Sequence, residues 1–213
     1  MSDLKTIAIL GAGTMGNGIA HVCARSGFNV ILYDLQKPFL DRGLATIEKN
    51  LAREVAKNKL TQQLSDEARA RITPTLDREA LGSCSFAIEA ATEKFAIKSE
   101  IFRDLDRILP ANAILATNTS SISITKLAAV TKRPENVIGM HFFNPVPVMP
   151  LVEVIRGLAT SQATFDAVHV LSKQLGKTPV EVNDAAGFAA SASNADQISV
   201  RLCPDEAGST AAE

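Results

Sequence analysis

Short apolar runs alternate along this chain with longer stretches in which apolar residues recur every three or four positions. The alternation predicts strand, helix, strand, helix. Ile7-Ala8-Ile9-Leu10 is a continuous apolar run, the pattern of a strand buried on both faces, and Ile19, Ala20, Val22 and Cys23 follow it at helical spacing. A second strand covers 29–33. Leu40, Leu44, Ile47, Leu51 and Val55 predict one long helix over about 36–59, with a shorter helix at about 62–70. A buried strand is expected at 86–90, then a helix marked by Ile97, Ile101, Leu105, Ile108 and Leu109 and stopped by Pro110. Further strands are expected at 113–116, 137–143, 151–155 and 178–182, with a helix at 165–175. The link through Pro145, Pro147 and Pro150 is too short for a parallel crossover, so the strands on either side should pair antiparallel.

Between the first strand and the first helix stands Gly11-Ala12-Gly13-Thr14-Met15-Gly16. A G-x-G-x-x-G run is weak alone but informative between a strand and a helix. Gly11 suits a tight turn, Gly13 lets the backbone approach a pyrophosphate, and Gly16 lets helix pack on strand. Thr14 and Met15 open the helix, whose free N–H groups and positive dipole end face the phosphates. Asp34 closes the second strand, where a carboxylate accepts hydrogen bonds from ribose hydroxyls and repels a 2′-phosphate. The expected cofactor is therefore NAD. The whole pattern predicts a Rossmann-like doubly wound α/β sheet, mostly parallel, with antiparallel strands near the C-terminal end.

Composition narrows the class. Of 213 residues, 46% are apolar and 21% charged, as in ordinary globular domains, and a net charge of −1 gives no field that favours nucleic acid. Cys23, Cys84 and Cys203 lack metal-ligand spacing, so no metal site is expected, and free thiols suit a reducing, cytoplasmic setting. No membrane span is visible, and the first strand begins too near Met1 for a transit sequence. The segment 189–213 is rich in Ala, Ser, Asp and Glu. Ile198, Val200 and Leu202 are its only large aliphatics, and it is expected to be poorly ordered. The folded domain is expected over 1–188.

Oxidising a secondary alcohol requires a base for the hydroxyl proton while hydride leaves for nicotinamide. His141, near a strand end, is the natural base. Glu153 lies on the next strand, where antiparallel pairing can bring its carboxylate to the imidazole. Ser120 can hydrogen-bond the reacting oxygen and Asn144 can hold substrate or nicotinamide, although both residue types also suit turns. His21 and His169 fall inside helices and are read as structural or surface residues. Lys49, Arg53 and Lys57 are spaced four apart on one helical face. Such a stripe suits the phosphates of a ligand or is simply a solvated face.

Four segments together resemble the N-terminal domain of the L-3-hydroxyacyl-CoA dehydrogenase family. They are Gly11 to Gly16 with Asp34, Glu89-Ala90-Ala91-Thr92-Glu93 with Lys98, Asn118-Thr119-Ser120-Ser121, and His141-Phe142-Phe143-Asn144-Pro145-Val146-Pro147 running on to Glu153. The resemblance implies oxidation of short-chain L-3-hydroxyacyl-CoA, or the reverse reduction, in fatty acid and butanoate metabolism. It implies catalytic roles for His141, Glu153, Ser120 and Asn144. It places Glu93, Lys98, Asn118, Ser120 and Asn144 at the cofactor, with Glu93 and Lys98 near the nicotinamide ribose. For Glu93 and Lys98 the plainer reading is an acidic first helical turn and a solvated lysine. The family continues into a helical domain that supplies the dimer interface and a wall of the acyl-CoA site. Here Ala186 and Ser191 stand where the family has a proline and an asparagine, and no family pattern follows. Two alternatives stay open: a non-catalytic NAD-binding remnant without the dimer interface, and a related polyol or hydroxy-acid dehydrogenase.

Overall fold

The structure, a computed structural model, describes residues 4–184. The expectations for 189–213, and for Cys203, Ala186 and Ser191, lie outside the described residues.

Eight strands form one sheet: β1 (Thr6–Leu10), β2 (Asn29–Tyr33), β3 (Ile72–Thr75), β4 (Phe86–Glu89), β5 (Ile114–Thr117), β6 (Val137–Phe142), β7 (Leu151–Arg156) and β8 (Thr178–Asn183). Their spatial order is β3-β2-β1-β4-β5-β6-β7-β8. All neighbours run parallel except β6 and β7, which pair antiparallel across the proline-containing turn, as its length required. The Rossmann-like α/β expectation therefore holds, including the antiparallel pair. The helices are α1 (Thr14–Arg25), α2 (Lys37–Ala56), α3 (Gln62–Ala70), α4 (Phe95–Ile108), α5 (Ile124–Ala128) and α6 (Gln162–Gln174).

The continuous apolar strands serve two cores at once. Ile7 and Ile9 of β1 point into one cluster with Ile19 and Val22 of α1 and Phe165 and Leu171 of α6. Ala8 and Leu10 point the other way, against Phe102 and Leu105 of α4 and Leu127 of α5. A period-two split of an all-apolar strand is what burial on both faces requires.

Two elements differ from the expectation. β3 has only four residues, Ile-Thr-Pro-Thr, and its proline makes it look like a turn. It sits at the sheet edge, where a missing N–H is tolerated. α5 spans five residues, too few to show a period. Its N-terminus is held from outside: the Asp184 carboxylate accepts from Ile124 N–H (3.1 Å), Thr125 N–H (2.7 Å) and the Ser123 hydroxyl (2.9 Å). Burial opposes ionisation of Asp184, but these hydrogen bonds outweigh it and hold the carboxyl below its usual range.

Candidate active site

The glycine turn divides its tasks by position. Gly11 has φ +100°, and a Cβ there would lie 2.7 Å from the Ala90 carbonyl oxygen, so both conformation and space demand glycine. A Cβ on Gly16 would overlap the Gly11 carbonyl. At Gly13 nothing lies within 4 Å of such a Cβ, so the protein itself sets no steric demand there. Gly13 caps α1 without any side-chain acceptor, and the first turn of α1 holds no acidic residue. The first turn of α1 thus keeps N–H groups that no side chain caps, the arrangement that suits an anion. Asp34 accepts from Ala12 N–H at 2.8 Å through one oxygen and from Gln36 N–H at 3.3 Å through the other. The carboxylate thereby fixes the glycine turn as well as closing β2.

A cavity of about 630 Å³ opens over this edge, lined by Gly11, Gly13, Thr14, Met15 and Asp34 together with Leu35, Ile97, Ile101 and Arg78. Arg78 gave no signal in the sequence. Its guanidinium lies 5.3 Å from the centre of the Tyr33 ring, donates to the Tyr33 hydroxyl at 3.3 Å and pairs with Asp104.

Beyond the cavity, β4 and β5 end in a charged network. Glu89 and Lys98 are both fully buried, so Lys98 is not a solvated lysine. Its ammonium donates to both Glu89 oxygens at 2.8 and 2.7 Å and to the Asn118 carbonyl at 3.3 Å. Glu93 lies 3.6 Å from the same ammonium. It also accepts from the Thr119 hydroxyl, from Ser120 N–H (3.0 Å) and from the Ser121 hydroxyl (3.3 Å). Burial resists its ionisation, yet the Thr119 hydrogen bond, the Lys98 charge and the donors of residues 120 and 121 hold it below its usual range. Asn118 turns its side-chain oxygen to Phe142 N–H at 2.9 Å and so ties the end of β5 to the end of β6.

His141 and Glu153 stand directly opposite each other in the β6–β7 ladder. Imidazole Nδ1 lies 2.8 Å from Glu153 Oε2, and the carboxylate side chain is only 4% exposed. A carboxylate accepts, so Nδ1 is the donor in this contact. The Phe143 ring packs 4.8 Å from the imidazole. Asn144 and Ser120 are exposed at the same edge of the sheet. The turn after Asn144 is anchored by Lys177, whose ammonium donates to the carbonyls of Val146 (2.5 Å) and Met149 (2.8 Å).

Lys49, Arg53 and Lys57 are exposed along α2 and its end. His21 is buried inside α1 with Nε2 3.5 Å from Glu54, and His169 stacks on Phe165. Both agree with their reading as structural or surface positions. Among the described residues no cluster of His, Cys, Asp and Glu could hold a metal ion, and no helix is long and apolar enough to cross a membrane.

A mostly parallel sheet with a glycine turn at its switch point, an acidic residue closing β2 and a His–Glu pair at the strand ends is the arrangement of a dinucleotide-binding α/β domain. Residues 6–185 match the 3-hydroxyacyl-CoA dehydrogenase, NAD binding domain, and the chain belongs to that family. It is 50% identical over 186 residues to the probable 3-hydroxybutyryl-CoA dehydrogenase of Bacillus subtilis, covering 87% of this chain and 65% of that protein. With the 3-hydroxybutyryl-CoA dehydrogenase of Bradyrhizobium diazoefficiens it shares 48% over 185 residues, 87% of this chain and 63% of that one. The crystal structure of (S)-3-hydroxybutyryl-CoA dehydrogenase from Ralstonia eutropha superposes with a TM-score of 0.86 at 51% identity, over 88% of this chain and 66% of the other. The chain thus spans slightly less than two thirds of these relatives.

Proposed function

We propose that this chain carries the cofactor-binding and proton-transfer half of an NAD-dependent L-3-hydroxyacyl-CoA dehydrogenase acting on short acyl chains such as 3-hydroxybutyryl-CoA. The observation that carries the reading is the 2.8 Å contact between His141 and Glu153 at the C-terminal edge of the sheet. The open, uncapped start of α1 and Asp34 at the end of β2 fit a dinucleotide without a 2′-phosphate. NAD, when bound, accepts or returns the hydride. His141 Nε2 takes the hydroxyl proton. Glu153 fixes the tautomer and stabilises the imidazolium as the proton arrives. Ser120 and Asn144 orient the reacting oxygen and the nicotinamide, and Glu93 and Asn118 hold the loop that presents Ser120. The exposed stripe of Lys49, Arg53 and Lys57 is the proposed rest for the coenzyme A phosphates. The buried thiols of Cys23 and Cys84 support a reducing compartment, the cytoplasm.

The test is reduction of acetoacetyl-CoA, followed as loss of NADH absorbance. It should be run on this chain and on the same chain fused to the helical C-terminal third of a relative. Turnover by the fusion is expected, with His141→Ala lowering it about 10²–10⁴-fold, the usual worth of a general base. A fusion that binds NADH but leaves acetoacetyl-CoA untouched would sink the acyl-CoA reading and favour a polyol or hydroxy-acid substrate.

A further inference from the structure

Asn144 opens the turn over 145–149 that joins β6 to β7. The turn closes on itself, with the Pro145 carbonyl accepting from Val148 N–H at 2.9 Å and from Met149 N–H at 3.0 Å. The rest of the domain holds it in two places. Val146 is 2% exposed and lies so close to α1 that a Cβ on Gly18 would stand 2.8 Å from the Val146 Cβ. Lys177 supplies the second hold, donating to the carbonyls of Val146 and Met149 at 2.5 and 2.8 Å. Among the described residues neither carbonyl takes a backbone N–H.

Lys177 is itself fixed by the backbone around it. Gly176, in the left-handed region at φ +70°, turns the chain out of α6. Lys177 N–H donates to the Ser172 carbonyl at 3.0 Å, and Thr178 N–H donates to the Pro150 carbonyl at 2.7 Å. The Lys177 side chain is buried, and among the described residues its ammonium bonds two carbonyls and no carboxylate. A buried cation held only by neutral acceptors is unfavourable. Burial, aided by the Arg25 charge, accordingly pushes its pKa down to about 8. An apolar side chain would avoid that penalty but would leave both carbonyls of the turn without a donor.

We propose that Lys177 is a positioning residue for the nicotinamide half of the site, acting through the 145–149 turn on Asn144. This rests on the reading of Asn144 as a residue that orients the nicotinamide. Loss of the ammonium frees one side of the turn and lets Asn144 shift. The glycine turn and Asp34 are held by Tyr33, Ala12 and Gln36 and share no hydrogen bond with Lys177, so the pyrophosphate end of the site keeps its shape.

The experiment is a double-mutant cycle on the full chain with Lys177→Met, Asn144→Ala and the two together. Two probes are used: NADH, and ADP, which lacks the nicotinamide riboside. Asn144→Ala should weaken NADH at least about fivefold and Lys177→Met at least about threefold. Adding Lys177→Met to Asn144→Ala should weaken it less than about twofold further, the non-additivity of residues that act as one unit. ADP should stay within about twofold of the parent throughout, since its contacts are far from the pair. The emission spectrum of bound NADH, which senses the nicotinamide surroundings, should change alike in both single variants. A lysine that only supports the fold would weaken ADP in step with NADH, or weaken NADH equally in both backgrounds, and either result overturns the proposal. Unchanged NADH binding in Lys177→Met overturns it as well. If circular dichroism shows Lys177→Met unfolded, Lys177→Gln, whose amide sits one atom closer to the backbone, is measured in its place against the same limits. Failure of that variant to fold would make Lys177 a support of the fold alone and overturn the proposal. An Asn144→Ala variant that binds NADH like the parent would overturn it and leave the dinucleotide reading standing. A parent chain that binds neither probe would overturn that reading, and the proposal with it.

Discussion

Adding one methyl group at Gly13 or at Gly16 should produce opposite outcomes. At Gly13 the backbone (φ −64°, ψ −168°) suits alanine, and nothing lies within 4 Å of the new Cβ. Alanine is a poorer N-cap than glycine, by roughly 0.5–1 kcal/mol. It also restricts the unfolded chain, which stabilises the fold by about 0.4–1 kcal/mol. The two effects nearly cancel, so Gly13→Ala should melt within about 3 °C of the parent. On the proposed function its methyl stands in the path of the pyrophosphate, and NADH affinity should fall at least about tenfold, equivalent to roughly 1.4 kcal/mol. At Gly16 the methyl would overlap the Gly11 carbonyl oxygen and sit 2.8 Å from the Gly11 carbonyl carbon. Both are backbone atoms, so no rotamer change relieves the overlap. The cost should reach about 3 kcal/mol, the upper end for overpacking. In a chain of this size that lowers the melting temperature by about 6–12 °C. Thermal melts and NADH fluorescence titrations of the two variants give all four numbers. Unchanged NADH affinity in Gly13→Ala would show that no phosphate rests on that residue. A Gly16→Ala variant as stable as the parent would refute the close packing of α1 on the turn.

Three further outcomes follow from named groups. Asp34 should make the chain prefer NADH to NADPH by at least about tenfold, and Asp34→Asn, which keeps one acceptor for Ala12 N–H, should narrow the gap; equal affinities in the parent would defeat the assignment. Burial, aided by Arg25 and opposed by Glu54, lowers the His21 pKa from 6.5 to about 4. The unfolded chain therefore binds a proton that the folded chain refuses, and stability is full above pH 6.5 and falls as the pH drops toward 4, by about 3 kcal/mol in all. Urea denaturation at several pH values should show a shallower loss in His21→Leu, and parallel curves would rule the residue out. Burial also raises Cys23 to about 12 and Cys84 to about 11. Peptide mapping after thiol labelling should find both unmodified until denaturant is added, and rapid labelling of either in the native chain would contradict the packing.

The parts of this fold that sequence made legible are those with local rules. The apolar run of β1, the glycine spacing after it and Asp34 at the end of β2 each carry their meaning within a few residues. The antiparallel β6–β7 pair followed from turn length alone. What escaped depends on partners distant in sequence. β3 was hidden by Pro74, which only an edge strand tolerates. α5 takes its N-terminal acceptor from Asp184, 60 residues beyond Ile124. Lys98 looked like a solvated helix residue because its partner Glu89 lies nine residues back, on the strand before its own helix, where no helical spacing reveals it. Arg78 is recognisable only once Tyr33 and Asp104 are beside it.

The β6–β7 hairpin makes the His141–Glu153 contact a matter of parity. His141 meets Glu153 because the ladder sets them opposite each other, and neighbouring side chains in a strand face opposite ways. Sliding β7 by one position would bring Val152 or Val154 to the histidine, two residues that now fill the core on the other face, and would turn the carboxylate into that core. Loss or gain of one residue between Phe143 and Pro150, with no bulge to absorb it, would then disarm the pair while leaving both residues intact in the sequence. A change in the length of that turn would part the two side chains as surely as a substitution at either residue.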